Sequence, residues 1–167
     1  MGMQLIETIE VGSGGAASIE FTGIPQDGVD LVLVTSLRTD RTGSQGDAVF
    51  LSFNASTANF TGITLFGNGA TVTSNTQTRL SYYASTADST ASTFSNGATL
   101  ISNYTSSANK SVSTDGVSET NGSTAYQTIT ATQWADTSAI TSITLTSGTS
   151  NDFDQYSTAS LYKITAD

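Results

Sequence analysis

Residues 5–39, LIETIEVGSGGAASIEFTGIPQDGVDLVLVTSLRT, set how the rest of the chain is read. Over residues 5–11, Leu5, Ile9 and Val11 point one way and Ile6, Thr8 and Glu10 the other, with Glu7 interrupting the first set. Period-two alternation of this kind suits a strand with one face on a core. Gly12-Ser13-Gly14-Gly15 then reverses the chain, because glycine takes the positive φ angles that a tight turn demands. Residues 18–22 resume the alternation with Ile19 and Phe21 inward. Ile24-Pro25 stops that strand, since proline donates no ladder hydrogen bond and restricts the residue before it. After a turn at Asp27-Gly28, residues 29–37 are apolar on both sides, Leu31, Leu33 and Leu37 on one and Val32 and Val34 on the other. This predicts a central strand buried on both faces. The density of Val and Thr and the shortness of the run favour a strand over a buried helix.

Further strands follow in the same manner. Residues 38–44 are a polar loop, and residues 48–53 a strand with Val49, Leu51 and Phe53 on one face. Residues 60–66 read as a short strand or a loop whose Phe60, Ile63 and Phe66 cap one end of the core, before a turn at Asn68-Gly69. Residues 70–83 read as one long, mostly polar strand, and residues 84–93, ASTADSTAST, as a solvated connection or an exposed tip. Strands are expected around Leu100 and Ile101, over 126–134, around Ile143 and Leu145, and over 160–165. Asn96-Gly97, Asp115-Gly116 and Asn121-Gly122 read as turn or bulge signals between them. Eight to ten strands without a helical period predict an all-β fold, an antiparallel two-sheet sandwich. Jelly-roll-like topology is preferred to an immunoglobulin-like one, and the 167 residues suit a single domain, 1–167.

Composition narrows the chemistry. Roughly a third of the chain is Ser and Thr, as in strand-rich proteins with polar turns. The chain contains no cysteine and no histidine. Disulfides, thiolate metal sites and the usual general base, zinc ligand and pH switch are therefore unavailable. A net charge of −9 argues against nucleic-acid partners, whose phosphates are held by Lys and Arg. No 18-residue apolar run suggests a membrane helix, and the N-terminal residues suggest neither a secretory signal nor a myristoylation site.

No catalytic, cofactor or metal residue is assigned. Asp152 and Asp154 flank Phe153 but lack the ligand number and glycine of a calcium loop, so they read as solvated carboxylates. Nothing singles out a glycosidase pair among fourteen acidic residues. Gly12 to Gly15 is followed by no lysine and is not a phosphate loop. Tyr82, Tyr83 and Trp134 are candidates for stacking on a receptor glycan, against the alternative of ordinary packing. Five Asn-X-Ser/Thr patterns, at Asn54, Asn59, Asn103, Asn109 and Asn121, are expected by chance in a chain this rich in Ser and Thr.

The opening LIETIEVGSGGAASIEFTGIPQDGVDLVLVTSLR, together with ITSITLTS (140–147) and NDFDQYSTASLYKI (151–164), resembles small virion proteins of tailed phages, especially marine and cyanobacterial ones. In those proteins a similar opening hairpin and a closing sLYgI-like strand bracket a variable middle; Lys163 stands where they show glycine. The resemblance implies a jelly-roll-like structural module of the virion without catalysis. A decoration or cement protein on the head surface is expected first, and a tail or head fibre module binding a host receptor or glycan second. Its partners would be other virion proteins and further copies of itself, a trimer suiting quasi-threefold sites. The low-charge edge carrying Leu5, Ile6, Ile9 and Val11 is the expected docking strand.

Overall fold

The computed structural model describes residues 2–120 and 124–166, so the turn and glycosylation signal at Asn121-Gly122-Ser123 lie outside the described residues. Twelve strands and no helix occur among them. They are β1 (Gly2–Glu10), β2 (Ser18–Phe21), β3 (Asp30–Leu37), β4 (Asp47–Phe53), β5 (Phe60–Gly67), β6 (Val72–Gln77), β7 (Leu80–Ala84), β8 (Ser95–Ile101), β9 (Lys110–Glu119), β10 (Ala125–Trp134), β11 (Ile143–Ser147) and β12 (Thr158–Thr165). An eight-stranded sheet has the order β1-β12-β3-β8-β9-β10-β5-β6, and a four-stranded sheet the order β2-β11-β4-β7. Every pairing between these twelve strands is antiparallel.

The pairs β1–β12, β2–β11, β3–β8 and β4–β7 are those of a two-stranded ribbon folded over on itself. That makes the sandwich jelly-roll-like. Two hairpins, β5–β6 and β9–β10, are inserted into the ribbon and widen the larger sheet on one side only.

One apolar cluster joins the sheets. Leu31, Leu33, Ala159 and Leu161 of the large sheet are buried in it with Ile19, Phe21, Val49, Leu51, Phe53, Ile143 and Leu145 of the small one. At one end Trp134 meets Phe53 edge-on at 5.4 Å and stacks on Phe60 at 6.2 Å. β3 lies centrally between β12 and β8, as its sequence predicts. Its second face, however, is not covered within this chain: Val32 is half-buried and Val34 exposed. The strand is buried on one side, because none of the described residues packs on the outer face of the large sheet.

Several local expectations are overturned. Asn96-Gly97 and Asp115-Gly116 lie inside β8 and β9 and turn nothing. Gly97 and Gly116 are cross-strand partners, and a Cβ on either would stand 2.6 or 2.7 Å from Tyr82. Glycine is there to make a flat floor for that ring. Residues 70–83 are two strands in different sheets, broken at Thr78-Arg79, not one. Residues 60–66 do form a strand, and Ile63 lies on the opposite side from Phe60 and Phe66. Asn68-Gly69 does turn the chain, with the Asn68 Oδ1 accepting from the Ala70 and Thr71 amides and Gly69 at φ 83°.

Residues 84–93 are held in place by Arg38. Its guanidinium donates to the carbonyls of Thr90 and Thr93 at 3.1 and 3.0 Å and reaches those of Ala87 and Ser89 at 3.4 Å. Ser85, Thr86 and Ser89 are buried, so this segment is an ordered strap and not a solvated connection. Composition misled here because the ordering group lies some fifty residues away in sequence.

Candidate functional site

The expected docking residues do not act alike. β1 is indeed an edge strand. A bulge at Ile6 shifts the register between Leu5 and Glu7. Leu5 opposes Tyr162 and is half exposed, on the outer side of the large sheet. Ile6 and Ile9 are partly buried against the core. Val11 is 3% exposed, and its amide donates to the Ser157 carbonyl at 2.8 Å while its carbonyl accepts from Tyr156. Val11 is therefore a core residue and unavailable for docking, and of the four only Leu5 presents a largely free apolar side chain.

Two of the three glycan candidates are also removed. Tyr82 and Trp134 are each 1% exposed. The Tyr82 hydroxyl is paired with Thr35 Oγ1 at 2.7 Å, and burial pushes its ionisation well above the ordinary phenol range. Both rings are packing elements. Tyr83, on the opposite side of β7 from Tyr82, is half-buried in a trio with Phe66 and Tyr126 whose ring centroids lie 5.2–5.3 Å apart. Burial, then the neighbouring Tyr126, raises the Tyr83 phenol, while Arg41 opposes the shift. The large sheet reaches past β7 here. Phe66, Thr73, Asn75 and Gln77 of the β5–β6 hairpin share a cleft of about 450 Å³ with Phe50, Ser81 and Tyr83 from the small sheet's outward side. Arg79 lies 4.3 Å above the Phe50 ring, and its buried Nε has no partner.

The two acids differ: the Asp154 carboxylate accepts from Arg38 Nε at 3.1 Å, while Asp152 is exposed and engaged through its backbone, its amide donating to Asp40 at 3.0 Å. Asp47 is fully buried and accepts from Thr39, Ser147 and Thr149 at 3.0, 2.7 and 2.9 Å. No group of three or more acidic side chains able to hold a metal occurs among the described residues. Lys163 closes the Pro25 corner, its Nζ 2.6 Å from both Asp27 oxygens, and this hydrogen bond holds the Asp27 carboxyl below its ordinary range. Lys110, fully buried, donates to the carbonyls of Ser106 and Asp136, and its desolvation lowers its pKa. Asn54, one of the glycosylation patterns, spends its side chain bridging Ala139, Thr141 and Ser142.

The most extended candidate surface is one that the sequence reading did not isolate, the outer face of the eight-stranded sheet. Register places Leu5 opposite Tyr162, Tyr162 opposite Val32, and Val32 opposite Leu100. The same row continues through Ser113 and Ala131 to Ile63 on β5 and Thr76 on β6. The adjacent row carries Val34, Ala98, Asp115, Ile129 and Leu65. Asp115 is the one charged residue in these two rows, and its carboxylate accepts from Gln127 at 2.9 Å. Eleven large hydrophobic side chains are exposed among the described residues. Leaving out Val29 and Tyr156, nine of them lie on this face. Small residues at Ser113 and Ala131, between Leu100 and Ile63, leave a hollow of about 650 Å³.

Along the middle of β5, β8, β9 and β10 the inner side of the sheet is polar. Thr99 pairs with Thr114 at 3.0 Å and Thr64 with Thr130 at 2.9 Å, all four buried. Thr128 donates to the Gly116 carbonyl and Thr130 to that of Ser81, both at 3.2 Å. The signal for this arrangement was present in the alternation of 126–134, with Thr128 and Thr130 set against Ile129 and Ala131. What periodicity cannot say is which of two alternating sets faces in. The chain matches no family model, curated protein or solved structure in comparisons with each.

Proposed function

We propose that this chain is a structural, non-catalytic protein of a phage particle, a decoration or cement module on the head surface. The observation that supports it is the way the resembling segments assemble. The first 38 residues and the closing segments, more than a hundred residues apart in sequence, meet as β1-β12-β3 in one sheet and β2-β11 in the other. They form one continuous unit of the sandwich. The part of the chain outside the resemblance supplies the β5–β6 and β9–β10 hairpins that widen the large sheet. A common frame carrying a variable extension is the pattern that the resemblance implies. Its partners on the particle are the major capsid protein or neighbouring virion proteins, and it acts in several copies, a trimer suiting quasi-threefold sites.

Immunogold electron microscopy of intact virions tests this. Gold distributed over the head supports the reading; gold confined to the tail or fibres replaces it with the fibre reading; unlabelled particles end the viral assignment.

The second reading, a fibre module binding a receptor glycan, is favoured by the cleft at Phe50, Phe66 and Tyr83. Aromatic rings there adjoin the polar side chains of Asn75, Gln77 and Ser81, the combination that sugars use. A glycan array on which binding appears and is lost in Tyr83→Ala, with the fold intact by circular dichroism, supports it. An array signal unchanged by that substitution excludes this cleft.

A further inference from the structure

We propose that the outer face of the eight-stranded sheet is an interface between copies of this chain. This rests on the sheet geometry and stands whether or not the protein belongs to a virion. Exposed apolar side chains are ordinary when scattered, but here they are gathered on one face, with Ile63 and Ile129 each 54% exposed. Eight strands at ~4.8 Å spacing span about 34 Å, and three outward rows with their side chains cover about 20 Å along the strands. The product, roughly 700 Å² of apolar side chains interspersed with small polar ones, approaches the ~800 Å² per partner of a standard interface.

Charge selects a second copy over other occupants. The chain carries −9 overall, so two copies repel wherever their acidic surfaces meet. The row from Leu5 to Thr76 has no charge at all, the next has only Asp115, and the third, from Glu10 to Val72, has only Glu10 at the sheet edge. A basic partner would find two separated carboxylates to match there, and a like-charged copy finds little to oppose it. The relief also fits itself. Leu100 on one side and Ile63 on the other stand as ridges beside the Ser113–Ala131 hollow, so the face presents both a ridge and a groove for it. Finally, β3 carries the sequence of a strand buried on both faces, and covering Val32 and Val34 by another copy fulfils that pattern.

Sedimentation velocity of the whole chain across a concentration series tests the proposal, with Leu100→Asp/Ile129→Asp as the interface variant and Tyr156→Asp as an exposed control away from the face. Circular dichroism and urea unfolding establish that each variant folds. The expected result is a wild-type mass that is a multiple of 17.2 kDa, kept by Tyr156→Asp and reduced to the monomer by the double variant. A wild-type protein that stays monomeric at about 100 μM, above the range of interfaces of this area, overturns the proposal. So does an oligomer that survives the double substitution. If the double variant fails to fold, Ile63→Thr/Leu65→Thr replaces it, with the same two readings. The virion reading can fail in the gold-labelling experiment without altering either outcome.

Discussion

On β3 and β12 the inward side chains include Leu31, Leu33, Ala159 and Leu161, while along the middle of β9 and β10 they are Thr114, Gly116, Thr128 and Thr130, with Val112 and Trp134 apolar at one end. These regions belong to one sheet and cover the same sandwich, yet they are built on different physics. The first gains its stability from apolar area removed from water, about 1.5–3 kcal/mol for each fully buried Leu or Phe side chain. In the second, buried hydroxyls pair across strands, each bond adding about 1 kcal/mol net, with the Thr132 Oγ1 on β10 left without a partner. On β9, β10 and β5 several apolar residues stand on the other side, where Val117, Ile129, Ile63 and Leu65 face outward, while Phe60, Val112 and Trp134 stay inward. A strand's apolar side marks the surface that will be buried, and in this half of the sheet that surface is the outer one.

Substitutions distinguish the two regions by size of effect. The largest is expected at Leu33→Ala, fully inside the apolar half, which should lower the unfolding free energy by about 3 kcal/mol in urea. A loss below about 1 kcal/mol there would mean that the apolar half is not the main source of stability. Next comes Gly116→Ala in the polar half. Its new methyl meets Tyr82 Cβ at 2.7 Å and Thr128 Oγ1 at 2.9 Å, so overpacking of about 2 kcal/mol is expected, with a changed near-ultraviolet spectrum as the Tyr82 ring shifts.

Smaller again is Thr114→Val, which strands the Thr99 hydroxyl and should reduce stability by about 1 kcal/mol. Thr99→Val/Thr114→Val removes both partners and should recover most of that loss. A double-mutant cycle showing plain additivity would contradict the idea that the threonines act in pairs. The smallest effect is at the Pro25 corner of the apolar half. Asp27 is held below its ordinary value of 3.8 by Lys163. Its contribution is therefore present above that pH and disappears as pH falls through the folded-state value. Asp27→Asn should be slightly less stable than wild type at pH 6 and equal to it in strong acid, as read by thermal unfolding in parallel buffers. A gap that widens as acid is added would reverse the assignment.

How much of this was legible in the sequence follows the same division. The frame was readable because Ile19 and Phe21 alternate with polar residues, Leu31, Leu33, Val49 and Leu51 keep the same two-residue spacing, and all six face their own core. Strand identity, the GSGG turn and the Asn68-Gly69 hairpin rest on local chemistry, and the structure carries them. The polar half was not readable by that rule. With Thr inward and Ile outward, alternation gives the period and leaves the side open. Gly97 and Gly116 read as turns because their reason for being glycine, the Tyr82 ring, comes from the other sheet. Likewise Arg38 orders residues 84–93 from a distance, while the packing reading of Trp134 and Tyr82 holds and sequence could not tell them from Tyr83, because burial depends on partners far along the chain. The outer face was missed as a site for the same reason. It exists only as a register of seven strand pairings, each residue of which is unremarkable alone.

The most direct test of the account is hydroxyl-radical footprinting of the intact protein, read residue by residue by mass spectrometry at dilute and concentrated protein. Met3, Leu5, Leu65, Leu100 and Ile129 lie on the outer face, while Tyr156, 62% exposed, lies off it and serves as the internal reference. The account predicts that oxidation of the outer-face residues falls as concentration rises while that of Tyr156 is unchanged. Equal oxidation of Leu65, Leu100 and Ile129 at both concentrations, with Tyr156 constant, would contradict it.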